Sequence, residues 1–293
     1  MIYELALSEI YERQWAILPE RLETMTQALL HAGVNGTQAL QVGRAGPRSP
    51  LSAGGVAVIP ITGVISHRET LFSQIFGGTS TERFAVAFRQ ALSDPNVGAI
   101  VFDVDSPGGS VDGVEELSAE VYRARGRKKT VAVANAMAAS AGYWVASACD
   151  EIIVTPSGSV GSIGVFAAHE DISKALEQEG VKLTLISAGK YKTEGTPFEP
   201  LSNEARASIQ ATVDVFGHMF VNAVARNRGV GSYAVKNGFG EGRMVLAQDA
   251  VKLGMADGVG TLDQTLARLL GRTGKGLSAA AQSLRRRELE LLM

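Results

Sequence analysis

The chain is short of several things, and each shortage excludes a class of protein. It has one cysteine among 293 residues, so no intrachain disulfide can form, and Cys149 lies in an apolar helix-like run where a buried, inert thiol is expected. Neither charge dominates. Twenty-eight Lys and Arg face 30 Asp and Glu, a net charge of −2 that offers nucleic acid or anionic lipid no broad attraction. No long hydrophobic run is present: Glu4, Glu9, Glu12, Arg13, Glu20, Arg21 and Glu23 break up the first thirty residues, and no later stretch reaches membrane-spanning length. A soluble, cytoplasmic protein without nucleic-acid or membrane partners is expected. Histidines number four, and none of His31, His67, His169 and His218 falls in a loop with an acidic partner. No metal-ligand spacing occurs, and Gly158-x-x-Gly161-x-x-Gly164 lacks the Lys-Ser/Thr of a phosphate loop, so neither cofactor nor metal is expected.

What is present divides into three parts. Residues 1–54 form a helical N-terminal arm and linker: Trp15, Leu18, Leu22 and Leu29 recur at near-helical spacing with a break at Pro19, and the stretch from Gly33 to Gly55 is rich in Gly, Pro and Ser. Residues 55–270 form the compact domain, and 271–293 a tail containing Arg285, Arg286 and Arg287, which read as a solvated face. Within the domain, strands are expected at Val56 to Ile61, Val97 to Val104, Thr130 to Ala134, Ile152 to Val154, Val160 to Phe166 and Val181 to Ile186. Between and after them come helices from a Thr79-x-x-Glu82 capping box, over Val111 to Arg125, from Ser140, over Asp171 to Glu179, Asn203 to Arg228 and Leu246 to Leu253. Strand and helix alternate, which makes an α/β fold.

Two segments carry chemistry. Ser140 lies in Ala136-Met137-Ala138-Ala139-Ser140-Ala141-Gly142, where small neighbours permit a sharp turn and close approach of a substrate carbonyl. A small-residue run also simply lets a helix pack tightly. Pro107-Gly108-Gly109 at a strand end can aim a backbone N–H at a bound carbonyl, so amides of Gly109 and Ala141 would together form an oxyanion hole. A serine hydroxyl needs a base, and a lysine kept neutral by desolvation can serve. Lys190 and Lys192, in Gly189-Lys190-Tyr191-Lys192-Thr193, are the two candidates, and spacing does not choose between them.

Four motifs in order, Asp105-Ser106-Pro107-Gly108-Gly109, Met137 through Tyr143, Gly161-Ser162-Ile163-Gly164-Val165 and Gly189-Lys190-Tyr191-Lys192, resemble the signal peptide peptidase A (SppA) family of Ser/Lys peptidases. The resemblance covers about residues 55 to 265 and is strongest to the phage and prophage branch of capsid-assembly proteases related to lambda head protein C. It implies that Ser140 is the nucleophile, Lys192 the general base, Ser162 the residue orienting that lysine, and the Gly109 and Ala141 amides the oxyanion donors. It further implies a ClpP/crotonase-like spiral of ββα units, a homo-oligomeric ring whose neighbours complete each site, and polypeptide substrates such as capsid or portal proteins, met in the host cytoplasm or procapsid. A bacterial SppA-like peptidase, a non-catalytic head-assembly scaffold and a crotonase-type acyl-thioester enzyme are the alternative functions.

Overall fold

The computed structural model describes residues 2–35, 51–53 and 55–272. Most of the expected linker and nearly all of the tail, including Arg285 to Arg287, lie outside the described residues. The arm comprises helix α1 (Ile2–Tyr11), strand β1 (Gln14–Ile17) and helix α2 (Pro19–Asn35). Strand β1 departs from the helical expectation: Trp15 and Leu18 sit on or beside a strand because Gln14 to Ile17 find a sheet edge far along the chain, and long-range pairing overrides local periodicity.

Next come β2 (Leu51–Ala53), β3 (Val56–Ser66), α3 (Leu71–Phe76), β4 (Gly78–Ser80), α4 (Thr81–Ser93), β5 (Ala99–Ser110), α5 (Val114–Arg123), β6 (Lys129–Ala139) and α6 (Ala141–Ser147). Thr79 does not cap α4. Its hydroxyl instead bridges the backbone N–H and C=O of Thr62, both at 2.9 Å, and the cap falls to Ser80, which accepts from the Arg83 N–H. The chain then runs through β7 (Glu151–Val154), β8 (Ser159–Gly161), β9 (Phe166–Ala167), α7 (Ser173–Gln178), α8 (Asn203–Arg228), α9 (Ser232–Gly238), β10 (Met244–Leu246), α10 (Ala247–Lys252), β11 (Gly258–Val259) and α11 (Leu262–Arg272).

Strands β3, β5, β6 and β7 form a parallel centre, with β8 also parallel to the far end of β6. A parallel strand covered on both faces is mostly apolar, and the first half of β5 is so apart from Asp103: Ile100, Phe102 and Val104 face one core, Ala99 and Val101 the other. On the first face Phe102 meets the edges of Phe84 and Phe88 from α4, at ring separations of 4.8 and 5.6 Å. On the second, Leu266, Leu269 and Leu270 of α11 cover Val56, Val58, Val131 and Val133. Among the described residues, no helix is long and apolar enough to cross a membrane.

One expected strand is missing. Val181 to Ile186 forms no ladder, and its apolar side chains lie on the surface, Ile186 at 95% exposure. The alternating pattern is there, but within one chain no sheet edge receives it. The expected strand over Val160 to Phe166 is likewise split into β8 and β9, because Ser162 takes a positive φ of 54° and turns the backbone.

Candidate active site

Strand β6 ends at Ala139 and helix α6 begins at Ala141, leaving Ser140 alone to make the turn. It does so at φ 52° and ψ −117°, a conformation that costs a non-glycine residue about 1–3 kcal/mol and persists only where the surroundings impose it. They do. The Ser140 N–H donates to the Gly161 carbonyl at 2.7 Å, and its carbonyl accepts from the Trp144 N–H at 2.9 Å. Helix α6 is clamped in turn: Trp144 stacks on Phe220 of α8 at 4.3 Å and donates to Glu115 on α5, while Arg125 donates to the Ser147, Ala148 and Cys149 carbonyls at its C-terminal end. Burial pushes the Cys149 thiol up, as an inert core thiol requires.

The Ser140 hydroxyl is fully buried and has no hydrogen-bond partner. Beside it, Pro107-Gly108-Gly109 does not end a strand as expected but lies within β5, whose ladder continues to Ser110. Only glycine fits there. Gly108 has φ 103°, and a side chain on it would fall 2.9 Å from Ser140 Cβ and 2.8 Å from Ile17 Cα, while one on Gly109 would collide with the Ile65 carbonyl. Ser106 supports this loop, donating to the Gly63 carbonyl at 2.6 Å and accepting from the Gly108 N–H at 3.2 Å. Sequence reasoning passed over Ser106 although it stands inside the quoted motif.

Of the remaining candidates, Ala141 is buried at the first turn of α6, and Ser162 is nearly buried just after Gly161, its N–H donating to the Arg243 carbonyl at 2.9 Å. Ser140, Gly109, Ala141 and Ser162 therefore belong to neighbouring pieces of one interior. Lys192 does not join them. It lies in a turn with its N–H bonded to the Gly189 carbonyl, and its exposed ammonium has no partner among the described residues. Lys190 does have partners. It donates to the Tyr191 hydroxyl at 2.7 Å and to the Glu204 carboxylate at 2.9 Å, and both bonds push its pKa up. A cation held in its charged form is no base.

The arm supplies what sequence reasoning missed. Strand β1 pairs antiparallel with the tip of β5, Trp15 opposite Ser110, Ala16 opposite Gly109 and Ile17 opposite Gly108, and on its other edge with β9, Gln14 opposite Ala167 and Trp15 opposite Phe166. The only local signal was an aromatic and β-branched run, Trp15-Ala16-Ile17, ending just before Pro19.

A buried serine stands on a strained turn from a parallel strand into a helix, next to a glycine pair, in an α/β architecture. Residues 123–274 match Peptidase family S49, and the chain belongs to that family. It is 35% identical over 215 residues to capsid assembly protease C of Escherichia phage lambda, covering 72% of this chain and 48% of that protein. To the head-tail preconnector protein GP5 of Enterobacteria phage P21 it is 35% identical over 203 residues, 69% of this chain and 40% of the relative. The chain thus spans less than half the length of either. Among solved structures it is similar to the 1510-N membrane protease specific for a stomatin homolog from Pyrococcus horikoshii, with TM-score 0.43 and 16% identity over 72% of this chain and 76% of that one.

Proposed function

We propose that this protein is a serine endopeptidase acting through a Ser140/Lys192 dyad. Ser140 Oγ attacks the peptide carbonyl as Lys192 Nζ takes its proton, and the oxyanion is received by the Gly109 and Ala141 amides. The protonated Lys192 gives its proton to the leaving amine, and water then cleaves the Ser140 ester. Ser162 orients the lysine. The observation that carries the reading is Ser140 itself: a hydroxyl held in a strained backbone conformation, fully buried and hydrogen-bonded to nothing, is positioned for a reaction rather than for packing.

A neutral lysine must be desolvated, and within one chain Lys192 is exposed beside the surface apolar residues Val181, Leu183, Leu185 and Ile186. Exposed apolar surface of this kind marks an interaction site. In our reading the occupant is a second copy of the chain, so that a homo-oligomeric ring brings the Lys192 of one subunit to the Ser140 of another. The substrates are polypeptides, and the phage relatives make capsid or portal proteins the first to try. The test is mixing. Ser140→Ala and Lys192→Met each abolish cleavage of a candidate capsid protein and of a generic unfolded protein, and when co-assembled they recover up to about a quarter of wild-type activity on random pairing. Wild-type rates in either single variant, with the fold intact, would overturn the assignment.

A further inference from the structure

An extended peptide that offers a carbonyl to Ser140 needs backbone edges to pair with, and two flank the site: the tip of β5 at Gly108 to Ser110, and β9. Both are taken by the chain's own arm. Strand β1 is antiparallel to each and fills the slot between them, and its ends are fixed by the Val111 N–H donating to the Gln14 carbonyl at 3.1 Å and the Leu18 N–H donating to the Pro107 carbonyl at 2.8 Å. Gly108 is hemmed in from two sides at once, by Ile17 Cα and by Ser140 Cβ. Strand β1 therefore runs close beside the serine, which is fully buried.

The seam is also where the interior is incompletely satisfied. Among the described residues, the buried side-chain polar atoms without a hydrogen-bond partner are Ser140 Oγ, Ser110 Oγ and Arg13 Nε. Ser110 ends the β5 tip, Arg13 immediately precedes β1, and Ser140 stands on the β6–α6 turn beside Gly108. Folded interiors pair their buried polar groups almost completely, and a contact that leaves such groups unpaired is held less firmly than one that satisfies them. Arg13 and Ser110 also line a small cleft, together with Glu9, Trp15 and Phe72. Apart from these backbone ladders the fastening is apolar: Trp15 and Ile17 pack on Val64 and Phe72, with the Trp15 indole donating to the Ile10 carbonyl at 2.8 Å. Such a contact can come away as a unit without breaking the central sheet.

We infer that β1 is a pseudo-substrate strap: it occupies the strand position a substrate peptide takes, and the protein is latent until residues 14–18 withdraw. This rests on the reading of Ser140 as the nucleophile. The test locks and loosens the strap in the full chain. Gln14 and Ala167 face each other across an antiparallel pair, where Cα atoms stand about 4.5–5.5 Å apart and a disulfide fits. Oxidised Gln14→Cys/Ala167→Cys is expected to cleave an unfolded protein at least about tenfold more slowly than the same protein reduced. Independently of catalysis, Trp15→Ala is expected to speed alkylation of the thiol in Ser140→Cys at least about tenfold, located by peptide mass spectrometry. Equal cleavage rates in the oxidised and reduced forms would overturn the strap, as would alkylation indifferent to Trp15→Ala. If no variant cleaves but loosening still exposes the thiol, β1 is a cover over Ser140, and the peptidase reading falls together with the pseudo-substrate role that rests on it.

Discussion

The surroundings of Ser140 and the segment carrying Lys192 are built on opposite terms. Around Ser140 every element is held by others: β6 delivers the residue, Gly161 takes its N–H, Gly108 leaves it just enough room, and α6 is pinned by Trp144 and Arg125. From Gly180 to Lys192 the chain has no ladder, its apolar side chains are exposed, and Lys192 has no partner among the described residues. One half of the candidate site is finished within a single chain. The other has the composition of a buried element but not the burial, the gap that the proposed second copy would fill.

Glycines sharpen the contrast most. Gly108 and Gly180 both have positive φ, 103° and 72°, but a side chain at Gly108 meets Ser140, Ile17 and the Ala16 carbonyl, whereas at Gly180 nothing lies within 4 Å. Gly108→Ala should destabilise by about 4 kcal/mol or more, combining backbone strain with backbone collisions that cannot relax. Gly180→Ala should cost only about 1 kcal/mol, the strain alone. Chemical denaturation of both variants checks the pair, and similar losses at the two positions would erase the distinction between them.

A second measurement asks how the finished half is held. Burial alone would raise the Asp257 pKa, but Arg228 at 2.9 Å to both carboxylate oxygens and the Ile152 N–H at 2.7 Å outweigh it and hold the carboxyl below its usual range. Arg228 also donates to the Gly254 carbonyl, so this pair fastens the closing segment to α8, and Tyr143 donating to the Met255 carbonyl ties the same segment to α6. Asp257→Asn should cost about 1–2 kcal/mol, the partly exposed carboxylate being discounted for screening. A carboxyl with a lowered folded pKa stabilises above its unfolded value and stops doing so as pH falls through the folded one. The difference between wild type and Asp257→Asn should therefore be full at pH 7 and shrink below about pH 4. A difference independent of pH would show that the charge is not what matters.

Much of the finished half was legible because its causes are local. Small residues flank Ser140, the glycine pair comes soon after an apolar run, and α8 runs from Asn203 to Arg228 as its periodicity requires, closed by Gly229 at φ 68°. What could not be read depends on distant partners. Strand β1 hid inside a helical spacing because its pairing residues, Ser110 and Ala167, lie roughly a hundred and more positions away. Val181 to Ile186 shows the alternation of a strand, yet alternation specifies a face and not the sheet that covers it. That Lys190 is paired with the Glu204 carboxylate, brought in by the first turn of α8, was equally out of reach of local spacing.

The smallest effect on stability tests the unfinished half. Ile186 is 95% exposed, so Ile186→Ser removes nothing that one chain buries and should change unfolding free energy by no more than about 0.5 kcal/mol. If a second copy covers this segment, the same substitution removes a buried side chain from the contact, worth about 1.5–3 kcal/mol each time the contact recurs. Ring closure multiplies that loss, since every subunit makes the contact. Sedimentation should then show the assembly shifted towards single chains at concentrations where the wild type is associated, with peptidase activity falling in parallel and the circular dichroism unchanged. An unaltered assembly with unaltered activity would mean that this apolar face is not what brings Lys192 to Ser140, and that the lysine reaches the serine, if at all, by a rearrangement within one chain.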